Sequence, residues 1–349
     1  MPSITTVSLV RTVPSGSPTV DDFKVSSEPA STKESLKDGE ILVRTLYLSC
    51  DPYMRSRLTG RTDSYVASFE AGKPLSGSGV GVIEASASPK FKEGAIVAGA
   101  DFPWKTAFTA PTNGFIEVPM PGAAQPVSVL GVLGMPSFTA YVGIVTLCQV
   151  KPGETILVSA ASGAVGQMVV QLAKARGLRV IATAGSDEKV QFVKDLGADV
   201  AFNYKTAGDY EAAIRKAAPD GFDIYFDNVG GEFLDAVLKC IRPNGRIAEC
   251  GMISQYNATK ETAYGIRNLS YVVTSKITIH GFIVRDYYTT PAYLAFIKEV
   301  SALLKENRLQ YKLDEVVGLE NAPQGLLDLF EGKNFGKRVI KVTSRAERL

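Results

Sequence analysis

The segment Ile156-Leu157-Val158-Ser159-Ala160-Ala161-Ser162-Gly163-Ala164-Val165-Gly166 constrains this chain more than any other. An apolar run enters a tight turn of small residues. A helical pattern, Gln167 to Arg176, follows at once, and then a second β-rich run, Arg179 to Ala184. Strand, glycine turn, helix and strand in this order predict a dinucleotide site, because glycine lets the backbone approach a pyrophosphate at a helix N-terminus. The turn reads A-x-G-x-x-G, with Ala161 in the first glycine place. Glycines alone would equally suit an ordinary tight turn; the β-α-β context favours the cofactor. An NAD site carries Asp or Glu about 20 residues on, to hold the ribose 2′-hydroxyl. Here the second strand runs into Gly185-Ser186-Asp187-Glu188-Lys189. Gly185 removes the expected carboxylate and Lys189 supplies a cation, which predicts the 2′-phosphate of NADP.

The same alternation continues downstream. Strands are predicted at 155–160, 179–184, 200–203, 222–228, 245–250 and 277–284. Helices fall between them at 165–176, 188–196, 210–218 and 233–241. This argues an α/β doubly wound parallel sheet. Pro291 to Glu306 reads as a further helix and Gly336 to Thr343 as a terminal strand. Residues 1–125 read differently, with short strands at Glu40–Tyr47, Gly77–Glu84, Ala95–Ala98 and Gly114–Val118. The glycines of the second predict bulges or tight bends, and the set suggests a barrel or sandwich. A length of 349 residues fits two domains.

Several classes are disfavoured. Thirty-eight Lys and Arg stand against 36 Asp and Glu, which gives no argument for nucleic acid or an anionic membrane. Cys50, Cys148, Cys240 and Cys250 are scattered without a C-x-x-C, so neither a zinc knuckle nor a disulfide framework is expected. The single histidine, His280, reads as a buried structural residue, and Cys50 has no His–Glu pair in the following 30 residues. Pro119 to Val150 holds no charge but is broken by Pro121, Pro126 and Pro136, so it reads as a loop and a buried helix rather than a membrane span. No basic start followed by an apolar stretch opens the chain, and a cytoplasmic location is expected.

The chain resembles the zinc-independent medium-chain dehydrogenase/reductase superfamily, and within it the group of alkenal double-bond reductases, prostaglandin reductases and leukotriene B4 dehydrogenases. The resemblance runs from about residue 40 to 343 and rests on motifs in order. They include Asp51-Pro52-Tyr53-Met54-Arg55, Gly134-Met135-Pro136, the Ala160–Gly166 turn, Ala184 to Lys189, Phe202-Asn203-Tyr204-Lys205, Tyr225 to Gly231, Cys250 to Asn257, Gly281 to Val284 and Gly332 to Lys337. It implies a Rossmann NADP-binding domain over 129–310 and a GroES-like β-barrel catalytic domain from 1–128 with 311–349. It also implies a homodimer. Residues 1–39, and the segment after Asn257, which lacks the proline-rich stretch of the animal members, depart from the pattern and leave the substrate open.

Carried over by motif, Gly163, Ala164, Val165 and Gly166 face the pyrophosphate, while Gly185, Ser186, Lys189 and Tyr204 surround the 2′-phosphate. Asn228, Cys250, Ile253, Ser254 and Tyr256 line the nicotinamide ribose. Phe282, Ile283 and Val284 contact the carboxamide, and Asn334 touches the phosphates. No metal is implied. The resemblance implies an NADPH-dependent reductase of the carbon–carbon double bond of α,β-unsaturated aldehydes and ketones. Hydride adds to the β-carbon, and the enolate needs a donor and a proton. Tyr256 and Tyr53 are the catalytic candidates. Arg55 would meet an acidic substrate tail or form a structural ion pair, and Tyr264 and Tyr287 are further pocket candidates. A quinone oxidoreductase of the same superfamily, a pathway-specific ene-reductase and a silent NADPH-binding protein are the alternatives.

Overall fold

A computed structural model describes residues 3–118 and 125–342. Pro121, in the charge-free stretch, and Thr343, at the end of the expected terminal strand, lie outside the described residues. The chain divides into two compact units.

The first unit draws on residues 1–130, 313–334 and 338–349. Its strands are β1 (Ser3–Leu9), β2 (Phe23–Pro29), β3 (Glu40–Ser49), β4 (Ser76–Ser86), β5 (Ile96–Pro103), β6 (Ala107–Pro111) and β7 (Phe115–Glu117), with a short helix α1 (Met54–Arg57). Strands β1 and β2 pair antiparallel. The glycine-rich strand is β4, and its pairing with β5 shifts register between Gly77 and Gly79. A Cβ at Gly79 would stand 2.5 Å from Phe102, and one at Gly81 would stand 2.6 Å from the Arg44 carbonyl oxygen. The glycines therefore let the fully buried Phe102 ring lie against the strand.

The second unit holds residues 131–312 and 335–337. Its strands are β8 (Thr155–Val158), β9 (Arg179–Ala184), β10 (Val200–Asn203), β11 (Phe222–Asp227), β12 (Ile241–Glu249) and β13 (Thr278–Gly281). They form one parallel sheet in the order β10-β9-β8-β11-β12-β13. This is the doubly wound order, which reverses between β8 and β11, and ligands bind beyond the carboxyl ends of strands at such a reversal. The helices are α2 (Met135–Tyr141), α3 (Gly166–Ala175), α4 (Asp187–Asp195), α5 (Tyr210–Ala217), α6 (Gly231–Cys240), α7 (Ser270–Thr274) and α8 (Pro291–Lys305). All four residues of β8 are buried, as expected of a central parallel strand covered on both faces. The described part of the charge-free stretch contains α2 and a wide helical turn, Val142–Leu147, whose apolar side chains enter the core around Phe138, Val142 and Ile144.

The chain then returns to the first unit as β14 (Leu313–Val317), helix α9 (Ala322–Phe330) and β15 (Lys337–Lys341). Strand β15 pairs antiparallel with β3, Val339 opposite Ser49. The seven-stranded sheet runs β14-β15-β3-β4-β5-β7, with β6 also on β3.

Two sequence readings are corrected here. The strand expected over 277–284 ends at Gly281, because Phe282 to Val284 turn away into a short helical turn, Val284–Tyr287. His280 is only half-buried, not a core histidine, because β13 is the last strand of its sheet and one side of it is uncovered.

Candidate functional site

The turn after β8 is closed by its own backbone. Ala160 adopts a left-handed φ of 46°, its carbonyl accepts from the Gly163 N–H at 3.0 Å, and the Ala161 N–H donates to Thr183 at 2.9 Å. A Cβ at Gly166 would lie 2.5 Å from the Ala160 oxygen and 2.6 Å from the Ala161 Cα. Only glycine lets α3 start this close to the turn, which leaves the N-terminus of α3 facing the end of the sheet. The buried amides of Gln167 and Gln171 on α3 each grip a peptide twice. Gln167 accepts from the Lys312 N–H at 2.7 Å and donates to its carbonyl at 3.2 Å; Gln171 does the same with Gln310, both at 2.8 Å. The Lys337 N–H donates to the Lys312 carbonyl, and Gly336 forms a parallel bridge with Gly163. The 335–337 segment thus lies beside the glycine turn, next in sequence to Asn334. Nothing in a strand-and-helix reading singled out the two glutamines, since their role depends on contacts about 140 residues away.

At the end of β9 a notch replaces the carboxylate of an NAD site. A Cβ on Gly185 would meet the Tyr204 Oη at 3.1 Å and the Lys205 Cε at 3.3 Å. Ser186 caps α4, its Oγ accepting from the Lys189 N–H at 3.3 Å, and Lys189 sits in the first helical turn. Asn203 braces the Tyr204–Lys205 corner: its Nδ2 donates to Asp187 at 3.0 Å and its Oδ1 accepts from the Lys205 N–H at 3.0 Å. Burial pushes the Tyr204 phenol above its ordinary pKa, so it remains a donor. A hydroxyl, an ammonium group and a helix N-terminus around the space left by a missing side chain fit a phosphate. Lys205 follows Tyr204 in the same motif, and its Cε beside the open side of Gly185 adds it to this group.

Two loops meet at the ends of β11 and β12. Asn228 donates from Nδ2 to the Ser159 carbonyl at 2.8 Å, while its N–H donates to the Ser159 Oγ at 3.0 Å. The Ile253 and Ser254 N–H groups donate to the Asn228 and Val229 carbonyls, both at 3.2 Å, and the Ser254 Oγ donates to Val229 at 2.6 Å. Gly230 and Gly231 take φ of 63° and 58°, and side chains there would strike Met252, Ser254 and Gln255. The Tyr256 hydroxyl lies over Gly251, 2.8 Å from where a Cβ would be. Asn228, Cys250, Ile253, Ser254 and Tyr256 are therefore gathered in one place. Burial, with Glu249 and Asp227 nearby, pushes the Cys250 thiol up to about 12, so it is no nucleophile at neutral pH. Phe282, Ile283 and Val284 are half-buried just past β13, and Phe282 and Val284 pack on the core.

Tyr53 and Arg55 belong to the first unit. Tyr53 is half-buried at the start of α1, and its burial, with Asp51 close by, raises the phenol pKa. Arg55 is 2% exposed, too enclosed to reach out to an acidic substrate tail, and donates to the carbonyls of Val13 at 3.0 Å and Gly16 at 2.7 Å. It fastens the 13–16 loop. Tyr264 also has a structural task, donating to Asp235 at 2.9 Å, whose other oxygen accepts from the Arg267 and Asn268 N–H groups. Tyr287 packs on the core of the second unit. Among the described residues no three His, Cys, Asp or Glu side chains come together as a metal-ligand set, and Cys50 is buried.

Comparison with known proteins identifies the family. A family model described as "Zinc-binding dehydrogenase" matches residues 164–299 and one described as "N-terminal domain of oxidoreductase" matches residues 7–118. These define a medium-chain dehydrogenase/reductase, with a Rossmann domain and a GroES-like domain. The chain is 43% identical over 337 residues to a 2-alkenal reductase (NADP(+)-dependent) of Nicotiana tabacum, covering 96% of each. It is 39% identical over 328 residues to prostaglandin reductase 1 of Mus musculus, covering 93% of this chain and 95% of the relative. The crystal structure of CurA in complex with NADPH from Vibrio vulnificus superposes with a TM-score of 0.89 at 37% identity, covering 97% and 99%. The chain belongs to the zinc-independent alkenal reductase group of that superfamily.

Proposed function

We propose that this protein is an NADPH-dependent reductase of the carbon–carbon double bond of α,β-unsaturated aldehydes and ketones. The observation that carries the reading is the Gly185 notch with Tyr204 and Lys205 beside it, within a chain whose relatives include a NADP(+)-dependent 2-alkenal reductase. Bound NADPH supplies a hydride to the substrate β-carbon. Gly163, Ala164, Val165 and Gly166 hold the pyrophosphate by backbone N–H groups. Gly185, Ser186, Lys189, Tyr204 and Lys205 hold the 2′-phosphate. Asn228, Cys250, Ile253 and Ser254 line the nicotinamide ribose, Phe282 to Val284 contact the carboxamide and Asn334 touches the phosphates. The Tyr256 hydroxyl donates a hydrogen bond to the carbonyl oxygen as negative charge gathers there, and Tyr53 contacts the substrate. In this division of labour 129–310 binds the cofactor, and 1–128 with 311–349 shapes the substrate side.

The test is cofactor oxidation followed by absorbance with a short trans-2-alkenal. We expect loss of NADPH at least tenfold faster than NADH at equal concentration, and a saturated carbonyl product. Equal rates, or turnover of quinones alone, would overturn the reading.

The protein acts in the cytoplasm as a homodimer. Its four cysteines are free thiols, as a reducing compartment allows, and among the described residues no helix is long and apolar enough to cross a membrane. Strand β13 is an open sheet edge, with Ile279 on it and Leu269 and Val273 nearby exposed. An open edge with apolar side chains invites a second strand. Sedimentation at micromolar concentration should give twice the chain mass, and Val273→Glu should shift it toward one chain; a single-chain mass for the unaltered protein would refute the dimer.

A further inference from the structure

The ends of β11 and β12 carry two carboxyl groups that the reaction does not use. Asp227 and Glu249 stand directly opposite each other in the parallel register, so their side chains leave the same face of the sheet. Asp227 is fully buried. Its Oδ1 accepts from the Val229 N–H at 2.7 Å, the Gly230 N–H at 2.9 Å, the Tyr225 hydroxyl at 2.7 Å and the Ser159 Oγ at 3.4 Å. Its Oδ2 and both Glu249 oxygens are buried with no hydrogen-bond partner. Ionised carboxylates only accept, so two of them side by side leave these buried oxygens unsatisfied, which is unfavourable. One proton between them lets one carboxyl donate to the other.

We propose that Glu249 is a positioning residue of the cofactor site, sharing one proton with Asp227, and that this proton holds the 228–231 loop against the 250–256 loop. Asp227 is the joint of both loops. Its carboxylate holds the Val229 and Gly230 N–H groups, and its backbone carbonyl accepts from Cys250 at 2.9 Å and Gly251 at 3.2 Å. Without the proton, two adjacent buried anions repel, and relief comes only by moving Glu249, and with it Cys250 to Tyr256, toward water. The groups facing the pair are the Ser159 hydroxyl after β8, the Tyr225 phenol on β11, the Cys250 thiol just after β12 and Gly281 on β13, opposite Glu249. His280 pairs with Ala248 and so leaves the other face. Among the described residues no Lys, Arg or His acts on Glu249: burial, first, and Asp227 push its carboxyl up to about 9. Burial likewise raises Asp227, against the pull of its N–H donors.

The consequence for cofactor affinity rests on the NADPH reading above, so the experiment separates the two. NADPH binding to the whole protein is followed by fluorescence from pH 6 to 10.5, for the unaltered chain and Glu249→Gln. The Kd should be flat up to about 9 and then rise up to tenfold per pH unit, as loss of one proton requires. The substitution replaces the acid with a permanent amide donor, so Glu249→Gln should show no alkaline break. Because the folded-state value is raised from the ordinary 4.5, the associated stability is full below about 4.5 and is lost as pH climbs to about 9. The melting temperature of the unaltered protein should therefore fall across that window more than that of Glu249→Gln. An alkaline break of the same size in both proteins overturns the proposal. Failure of the unaltered protein to bind NADPH overturns the cofactor reading instead. In that event, or if Glu249→Gln does not fold, infrared spectroscopy of the unaltered protein still decides: a carboxylic-acid carbonyl band present at pH 7 and lost near 9 supports the shared proton, and its absence at pH 7 overturns it.

Discussion

Gly185→Asp is expected to raise the KM for NADPH roughly 100-fold while leaving the KM for NADH equal or lower. A new Cβ would meet the Tyr204 Oη at 3.1 Å and the Lys205 Cε at 3.3 Å. The lysine end can give way, so the fold survives. The carboxylate, however, would occupy the space proposed for the 2′-phosphate. Like charges placed together cost several kcal/mol, and about 2.7 kcal/mol is a hundredfold in affinity. The same carboxylate can accept from a 2′-hydroxyl, which is why NADH does not suffer. Steady-state kinetics with both cofactors measures this. Gly185→Ala is the control for the added Cβ alone and should change the NADPH preference far less. An unchanged NADPH to NADH ratio in Gly185→Asp would place the 2′-phosphate elsewhere.

Tyr256→Phe is expected to lower kcat about 100-fold with little change in the KM for NADPH. Its hydroxyl lies over Gly251, at the carboxyl end of the sheet and among the residues proposed to line the nicotinamide ribose. Removing one donor to an oxyanion costs about 100- to 1000-fold in kcat. A structural role would appear instead as a lower melting temperature or a weaker NADPH Kd, so both should be measured beside kcat. A kcat within threefold of the unaltered enzyme would leave the enolate to another donor, such as a water or Tyr53.

The parallel sheet was readable because each of its strands is a short apolar run between helical patterns. Arg179–Ala184 and Val200–Asn203 hold to the residue, and the doubly wound fold follows from that alternation. Gly185 was equally legible, since a missing carboxylate is a local fact. What escaped the sequence depends on distance or on an edge. Lys205 gains meaning only when β10 pairs with β9 and its far end swings beside Gly185. Gln167 and Gln171 look like ordinary helix residues until the chain returns at 310–312. Arg55 reads as a cation for an acidic tail or an ion pair, yet it also holds two carbonyls in a loop with no pattern of its own. Strands β1 and β2 hide in residues 3–29 because a Pro-, Ser- and Gly-containing connection interrupts their alternation. The terminal part of the expected 277–284 strand was lost for the opposite reason: Phe282 to Val284 have strand-like side chains, but among the described residues of this chain no further strand lies beyond β13 to hold them.

The measurement that tests the central claim most directly follows the hydride itself. NADPH carrying deuterium at the transferring position of C4 is turned over with a short trans-2-alkenal, and the product is examined by mass and by NMR. The account predicts a saturated aldehyde with deuterium on the β-carbon and a proton from solvent on the α-carbon. Deuterium on the carbonyl carbon of an allylic alcohol, or a labelled cofactor bound but never consumed, would contradict it.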